Sequence, residues 1–309
     1  MKKFSLPLSA SCFLLSAFCF LPSCTEPIDL RNDGMDPKLV ITCILTDTIV
    51  EYDFFSENKV IITKATPFFD EYYIDLVDGA KVWLDSELLT MSSAGIYEPE
   101  EGFFAIPGKT YTLEVHYDMD EDGVDDIFKA TTTVPPKCHL DLITLHPAPW
   151  ASSSDFAVYM VLHYRDTIGH KYIGGKFNNE NETRFYSDRL LRYGLFRFDL
   201  SEKDGEYRKV LAMDWFIQKE MAYDNANKYY IYAGDTLSVE LDMLSEEYYR
   251  FLEMAKTELS HNNPMFSGPR ANVPSNFTGG ALGIFGSYTF SRAIYPLSEY
   301  TPGLPKRPE

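Results

Sequence analysis

Between residues 118 and 126 the chain reads Asp118-Met119-Asp120-Glu121-Asp122-Gly123-Val124-Asp125-Asp126. With Asp118 as position one, Asp120, Asp122 and Asp126 stand at three, five and nine, and Gly123 at six. That spacing matches the opening of a DxDxDG calcium loop. Calcium takes six to eight hard oxygens, and glycine at six lets the chain turn tightly around the ion. Asp118, Asp120, Asp122 and Asp126 are therefore the candidate calcium ligands. Position twelve is Lys129, so the bidentate glutamate of a helical calcium hand is missing. Strand-like segments on either side place the loop at the tip of a β-hairpin. The competing reading is a solvated hairpin tip, which also tolerates acids.

A second candidate for chemistry is Cys24. Met1-Lys2-Lys3 carries two positive charges and no acid, and an uncharged run from Phe4 to Phe20 follows. It breaks at Leu21-Pro22-Ser23-Cys24. A charged start, a short apolar stretch and a small-residue site make a secretory signal, too short for a transmembrane helix. Leu21 three residues before a cysteine, with Ser23 just before it, resembles the lipobox read by the lipoprotein signal peptidase. On this reading residues 1–23 are removed and the Cys24 thiol and amine are acylated. Several acyl chains, at roughly 0.8 kcal/mol per CH₂, hold a protein on a bilayer without a spanning segment. No later stretch reaches eighteen apolar residues.

Other chemistry finds little support, and no enzyme activity is expected. HExxH and GxSxG are absent, and no Cys and His stand at useful spacing. The six histidines are scattered, with a candidate paired-ligand spacing at His139 and His146. Glu98, Glu100 and Glu101 flank Pro99 and Gly102, which reads as a turn. Removing Lys2 and Lys3 with the signal leaves 26 basic residues against 46 acidic ones, a net charge of −20. Such a surface repels nucleic acid, so none is expected as a partner. Cys43 and Cys138 remain in the mature chain besides Cys24. Export permits a disulfide between them, and two separate thiols are an equal alternative.

The elements that must position these groups are mostly strands. Tyr and Phe occur 21 and 22 times, which suits pleated sheets. Residues 24–37 are polar with Pro and Gly and read as a tether. From 38 to 136, short Val, Ile, Thr and Tyr runs separated by turn residues predict an N-terminal immunoglobulin- or prealbumin-like sandwich. Its clearest strands are 39–45, 59–65, 81–85, 111–117 and 127–134. Val134-Pro135-Pro136 ends this region. A second β-rich domain is expected over 137–301, with strands at 155–164, 171–177, 228–233 and 236–241. It carries one packed helix, 246–259, capped by Ser245, with Tyr248, Phe251, Leu252, Ala255 and Leu259 on one face. Residues 302–309 read as a loose tail. The glycines at 279, 280, 283 and 286 suit tight turns and read as a closing hairpin, since no P-loop lysine follows.

Three pieces of sequence carry a resemblance. They are Cys24-Thr25-Glu26-Pro27-Ile28-Asp29-Leu30, Ala65-Thr66-Pro67-Phe68-Phe69-Asp70, and Asn263-Pro264-Met265-Phe266 with Val273-Pro274-Ser275-Asn276-Phe277 and Gly279-Gly280-Ala281-Leu282-Gly283-Ile284-Phe285-Gly286 after it. Together they resemble a family of Bacteroidota outer-membrane lipoproteins called domain of unknown function 4249. The segments around Gly79–Leu84, Gly95–Tyr97 and Pro107–Leu113 also resemble the carboxypeptidase-regulatory-like sandwich. The family resemblance implies an outer-membrane accessory protein, exposed at the cell surface, that binds substrate for or docks onto a TonB-dependent, SusC-like transporter. The alternative is a structural or adhesive surface lipoprotein with no transported ligand. Bacteroidota often send lipoproteins with acids soon after the cysteine to the cell exterior. Here Glu26 and Asp29 are present, interrupted by Pro27 and Ile28. Asp47-Thr48-Ile49, Asp166-Thr167-Ile168 and Asp235-Thr236-Leu237 resemble the acceptor for periplasmic O-glycosylation, which makes Thr48, Thr167 and Thr236 candidates for modification.

Overall fold

The computed structural model describes residues 38–48, 57–65, 74–147, 155–165, 172–179, 194–197, 207–218, 233–260 and 273–298. These residues belong to one compact unit and form sixteen strands and one helix. Cys24 and the tether, Thr167, the strand expected at 228–232, Asn263–Phe266 and the tail at 302–309 lie outside the described residues. Among the described residues, no helix is long and apolar enough to cross a membrane.

The protein is mostly β. The first half supplies β1 (Leu39–Thr46), β2 (Val60–Lys64), β3 (Asp75–Leu76), β4 (Lys81–Leu84), β5 (Glu87–Leu88), β6 (Thr90–Ser93), β7 (Ile96–Glu98), β8 (Thr110–Tyr117) and β9 (Asp126–Thr133). The second half adds β10 (His139–Pro147), β11 (Asp155–Arg165), β12 (Tyr172–Asn179), β13 (Gly194–Arg197), β14 (Tyr207–Gln218), β15 (Thr236–Leu244), helix α1 (Glu246–Ser260) and β16 (Leu282–Pro296). A nine-stranded sheet runs β13-β12-β15-β16-β1-β2-β7-β6, with β3 paired to β2. A four-stranded sheet runs β5-β4-β8-β9, and a three-stranded one β10-β11-β14.

Residue pattern explains the placement of each strand. β1 is apolar on both faces, and its burial from Leu39 to Thr46 is almost continuous, as a central strand requires. It runs parallel to β16, Val40 against Leu282 through Thr46 against Tyr288, and antiparallel to β2. β8 alternates instead: Tyr111, Leu113 and Val115 point inward and Thr110 and Thr112 outward. The inward residues meet Ile41, Cys43, Val60, Ile62 and Tyr97 of the large sheet, and this is the sandwich core. Asp85 and Ser86 both have positive φ, which closes the β4–β5 hairpin with the twist that two-residue turns favour.

The sheet topology bears on the division expected after Pro136. β1, from before that point, and β16, from after it, are neighbours in one sheet, so the sheet continues across the boundary. The linker itself is seated by side chains. Ser287 Oγ donates to Thr133 O at 3.1 Å and Thr289 Oγ1 to Pro136 O at 3.4 Å, while Ser291 Oγ donates to Cys138 O. Three hydroxyls at alternate positions of β16 thus replace a strand ladder that Pro135 and Pro136, lacking N–H groups, cannot join.

The helix follows the expected pattern. Ser245 Oγ accepts from Tyr248 N at 3.4 Å, the N-cap bond, and also from Ser287 N at 3.2 Å. Tyr248, Tyr249 and Leu252 bury against Ile44, Tyr172, Leu244, Ile284 and Tyr288. The glycine-rich segment differs from the closing hairpin expected. Gly279 and Gly280 form a turn, whereas Gly283 and Gly286 lie inside the fifteen-residue β16. A Cβ on Gly283 would overlap the Ile41 carbonyl oxygen, and one on Gly286 would come within 2.7 Å of Tyr248 Cβ. Glycine is required there by the close approach of a neighbouring strand and a helix. Cys43 and Cys138 are two separate buried thiols, and burial pushes the Cys43 pKa up.

Candidate functional site

The acidic loop sits between β8 and β9, whose last paired residues are Tyr117 and Asp126. Its carboxylates bind the loop's own backbone. Asp118 Oδ1 accepts from Asp122 N at 3.1 Å and Oδ2 from Gly123 N at 2.8 Å. Asp120 Oδ1 accepts from Asp122 N at 3.3 Å, and Asp122 Oδ1 from Val124 N at 2.8 Å. These are the side-chain-to-backbone turns that aspartates favour, and they fold the loop inward. Gly123 has φ +89° and Glu121 has φ +61°, so the tip turns through the left-handed region twice.

The outcome is a three-carboxylate cluster. One oxygen each from Asp118, Asp120 and Asp122 lies within 4.8 Å of the others, with Asp118 half-buried and the other two exposed. Like charges this close repel, and each oxygen retains a lone pair beyond its amide bond. The chemistry of this donor set suits a hard divalent cation, with backbone carbonyls or waters completing its shell. Asp126, the fourth residue expected, stands at the start of β9 outside the cluster, where its Oδ2 accepts from Met119 N at 3.3 Å. Lys129, at position twelve, turns to Glu114 Oε2 at 2.9 Å. Asp125 pairs with Lys81 at 2.7 Å, which ties the loop to β4.

The remaining candidates occupy varied settings. Thr48 is half-buried in a bend after β1. The neighbouring Asp47 accepts from Phe290 N at 3.1 Å and pairs with Lys137 at 2.8 Å. Thr236 is half-buried as the first residue of β15, opposite Pro296, beside a buried Asp235. His139 and His146 are seven residues apart on one strand, about 23 Å at strand rise, too far to share an ion. Glu100 accepts from Phe103 N at 3.1 Å ahead of Gly102 at φ +83°, a turn as expected.

The C-terminal motif takes a structural role that sequence reading did not specify. Asn276 clamps Phe285, and Thr278 bonds the Lys129 backbone through N, which donates to its carbonyl at 2.8 Å, and through Oγ1, which accepts from its N–H at 3.2 Å. The family described as Domain of unknown function (DUF4249) matches residues 25–294. The chain belongs to that family. The DUF4249 span takes in the acidic loop, α1 and nearly all of β16. No curated protein matches the chain.

Proposed function

We propose that this protein is a lipid-anchored outer-membrane accessory protein that binds substrate for, or docks onto, a TonB-dependent, SusC-like transporter, with its folded part at the cell surface. The observation that carries the reading is Leu21-Pro22-Ser23-Cys24 after a charged start and a short apolar run. Membership of DUF4249 supports it. The stretch from Cys24 to Pro37, polar with Pro and Gly, is the tether of this reading, and the first strand among the described residues begins at Leu39. Calcium held by Asp118, Asp120 and Asp122 stiffens the hairpin tip, a role the close carboxylates support.

Two measurements test this. Growth with an alkyne fatty acid labels the wild-type chain, and Cys24→Ser abolishes the label and releases the protein from the membrane. Purification from detergent-solubilised outer membrane recovers a transporter barrel with the wild-type chain. Recovery alone, or with envelope scaffolds, overturns the docking reading in favour of a structural or adhesive lipoprotein. Protease shaving of intact cells checks the surface assignment, and full protection refutes it.

A further inference from the structure

The outward face of the four-stranded sheet carries an unusual row of side chains. Strand register places Leu88, Trp83, Glu114 and Lys129 side by side across β5, β4, β8 and β9. The adjacent row is Lys81, His116 and Ile127. Elsewhere this face shows Thr110, Thr112, Thr131 and Thr133, the residues expected on a solvated sheet surface. Trp83, Leu88 and Ile127 are the exceptions. A large apolar ring stands on the outer face, half-buried, with Leu88 at 61% and Ile127 at 48% exposure near it.

The polar groups around the indole are held in place. Glu114 Oε1 bonds His116 Nε2 at 2.6 Å and Oε2 bonds Lys129 Nζ at 2.9 Å. Those two bonds hold the Glu114 carboxyl below the usual carboxylate range. The His116 ring lies 4.6 Å from the Trp83 ring, tilted by 59°. With Nε2 committed, His116 offers Nδ1, and Lys129 offers its further N–H donors. A fixed aromatic flanked by pre-oriented donors and acceptors is the usual composition of a small-molecule recognition surface.

Charge and size narrow the occupant. Lys81 and Lys129 balance Glu114 and Asp125, so the platform is locally neutral in a chain of net charge −18. A polyanion meets the surrounding acidic field, and a polycation prefers the acidic loop to this face. The face spans about 14 Å across four strands and about 26 Å along the longest, roughly 370 Å². A stable protein interface needs about 800 Å² on each side. We propose that the Trp83 platform binds a neutral saccharide, with the C–H face of a sugar ring on the indole and its hydroxyls on Glu114, His116 and Lys129. The aromatic gives apolar contact, and the charged groups give hydrogen bonds of the stronger kind. This binding needs no transporter, so it stands or falls separately from the docking proposed above.

Native gels cast with soluble α-glucan, β-glucan, mannan or galactan, and with polygalacturonate as the charged comparison, test it on the full chain. The expected result is retardation by at least one neutral polysaccharide. Trp83→Ala weakens that retardation at least tenfold, and Trp83→Phe retains part of it. Lys129→Ala and Leu88→Asp change exposed side chains only and provide folded variants should Trp83→Ala not fold; both weaken retardation severalfold. Absence of retardation by every neutral polymer overturns the proposal. So does retardation by polygalacturonate alone, or retardation unchanged in the variants.

Discussion

Asn276 treats Phe285 as a strand neighbour would. Its Nδ2 donates to Phe285 O at 2.8 Å and its Oδ1 accepts from Phe285 N at 2.9 Å. One side chain thereby satisfies both backbone polar groups of a residue whose own ring is fully buried in the sandwich core. Asn276→Ala leaves a donor and an acceptor unmet, at a cost of about 1–3 kcal/mol. Asn276→Asp keeps only the acceptor and recovers part of that at neutral pH. Urea midpoints of the two variants check the order: wild type, then Asp, then Ala.

Gly283 and Gly280 both have positive φ but differ in their surroundings. A Cβ at 283 runs into the Ile41 backbone, whereas one at 280 meets nothing within 4 Å. Gly280→Ala costs about 1 kcal/mol, the strain of a left-handed alanine. Gly283→Ala forces β1 and β16 apart and costs more than about 4 kcal/mol, enough to unfold a marginal protein. Circular dichroism melts of both variants distinguish local strain from a broken sheet.

Ser287 and Thr132 test the hydroxyl ladder. Ser287 gives its single proton to the Thr133 carbonyl, so the 3.0 Å contact with Thr132 must be a bond that Thr132 donates. Both side chains are buried, at 0% and 1% exposure. Ser287→Ala and Thr132→Val each cost about 1–3 kcal/mol, and the double variant costs less than their sum by about 0.5–3 kcal/mol. Strict additivity in denaturant titrations would show that the contact carries no energy.

Much of this architecture was legible wherever burial follows a simple period. β1, β2, β4, β8, β9, β11, β12 and β15 all emerge at the expected places, because alternation or apolar runs mark them. Helix α1 was legible from its cap and its apolar face. β16 was not, since its glycines read locally as turn residues while the reason for them is long-range: Ile41 and Tyr248 approach too closely for a side chain. The division after Pro136 was read from two prolines, whose missing donors β16 replaces with hydroxyls some 150 residues away in sequence. In the acidic loop, three of four expected ligands converge. Spacing alone did not reveal that Asp126 is held back by its place in strand β9.

Calcium provides the remaining test. At millimolar affinity or somewhat tighter, as extracellular calcium modules show, 5 mM calcium stabilises the fold by about 1–2 kcal/mol. That corresponds to a rise of about 2–8 °C in the thermal midpoint. Chelator reverses the rise, and Asp120→Asn with Asp122→Asn removes it, since both side chains are exposed cluster members. A midpoint unchanged by calcium refutes the site.

The parallel pairing of β1 with β16 has a consequence for how this molecule is made. β1 must wait, at the middle of the largest sheet, for β16, a strand made more than 200 residues later. Such distant closure slows folding and leaves that side of β1 unpaired until β16 is made. A product cut short before Leu282 therefore presents β1 with an apolar, unpaired edge, the kind of surface that recruits aggregation or proteolysis. Premature termination upstream of β16 leaves the largest sheet without the strand that joins β15 to β1.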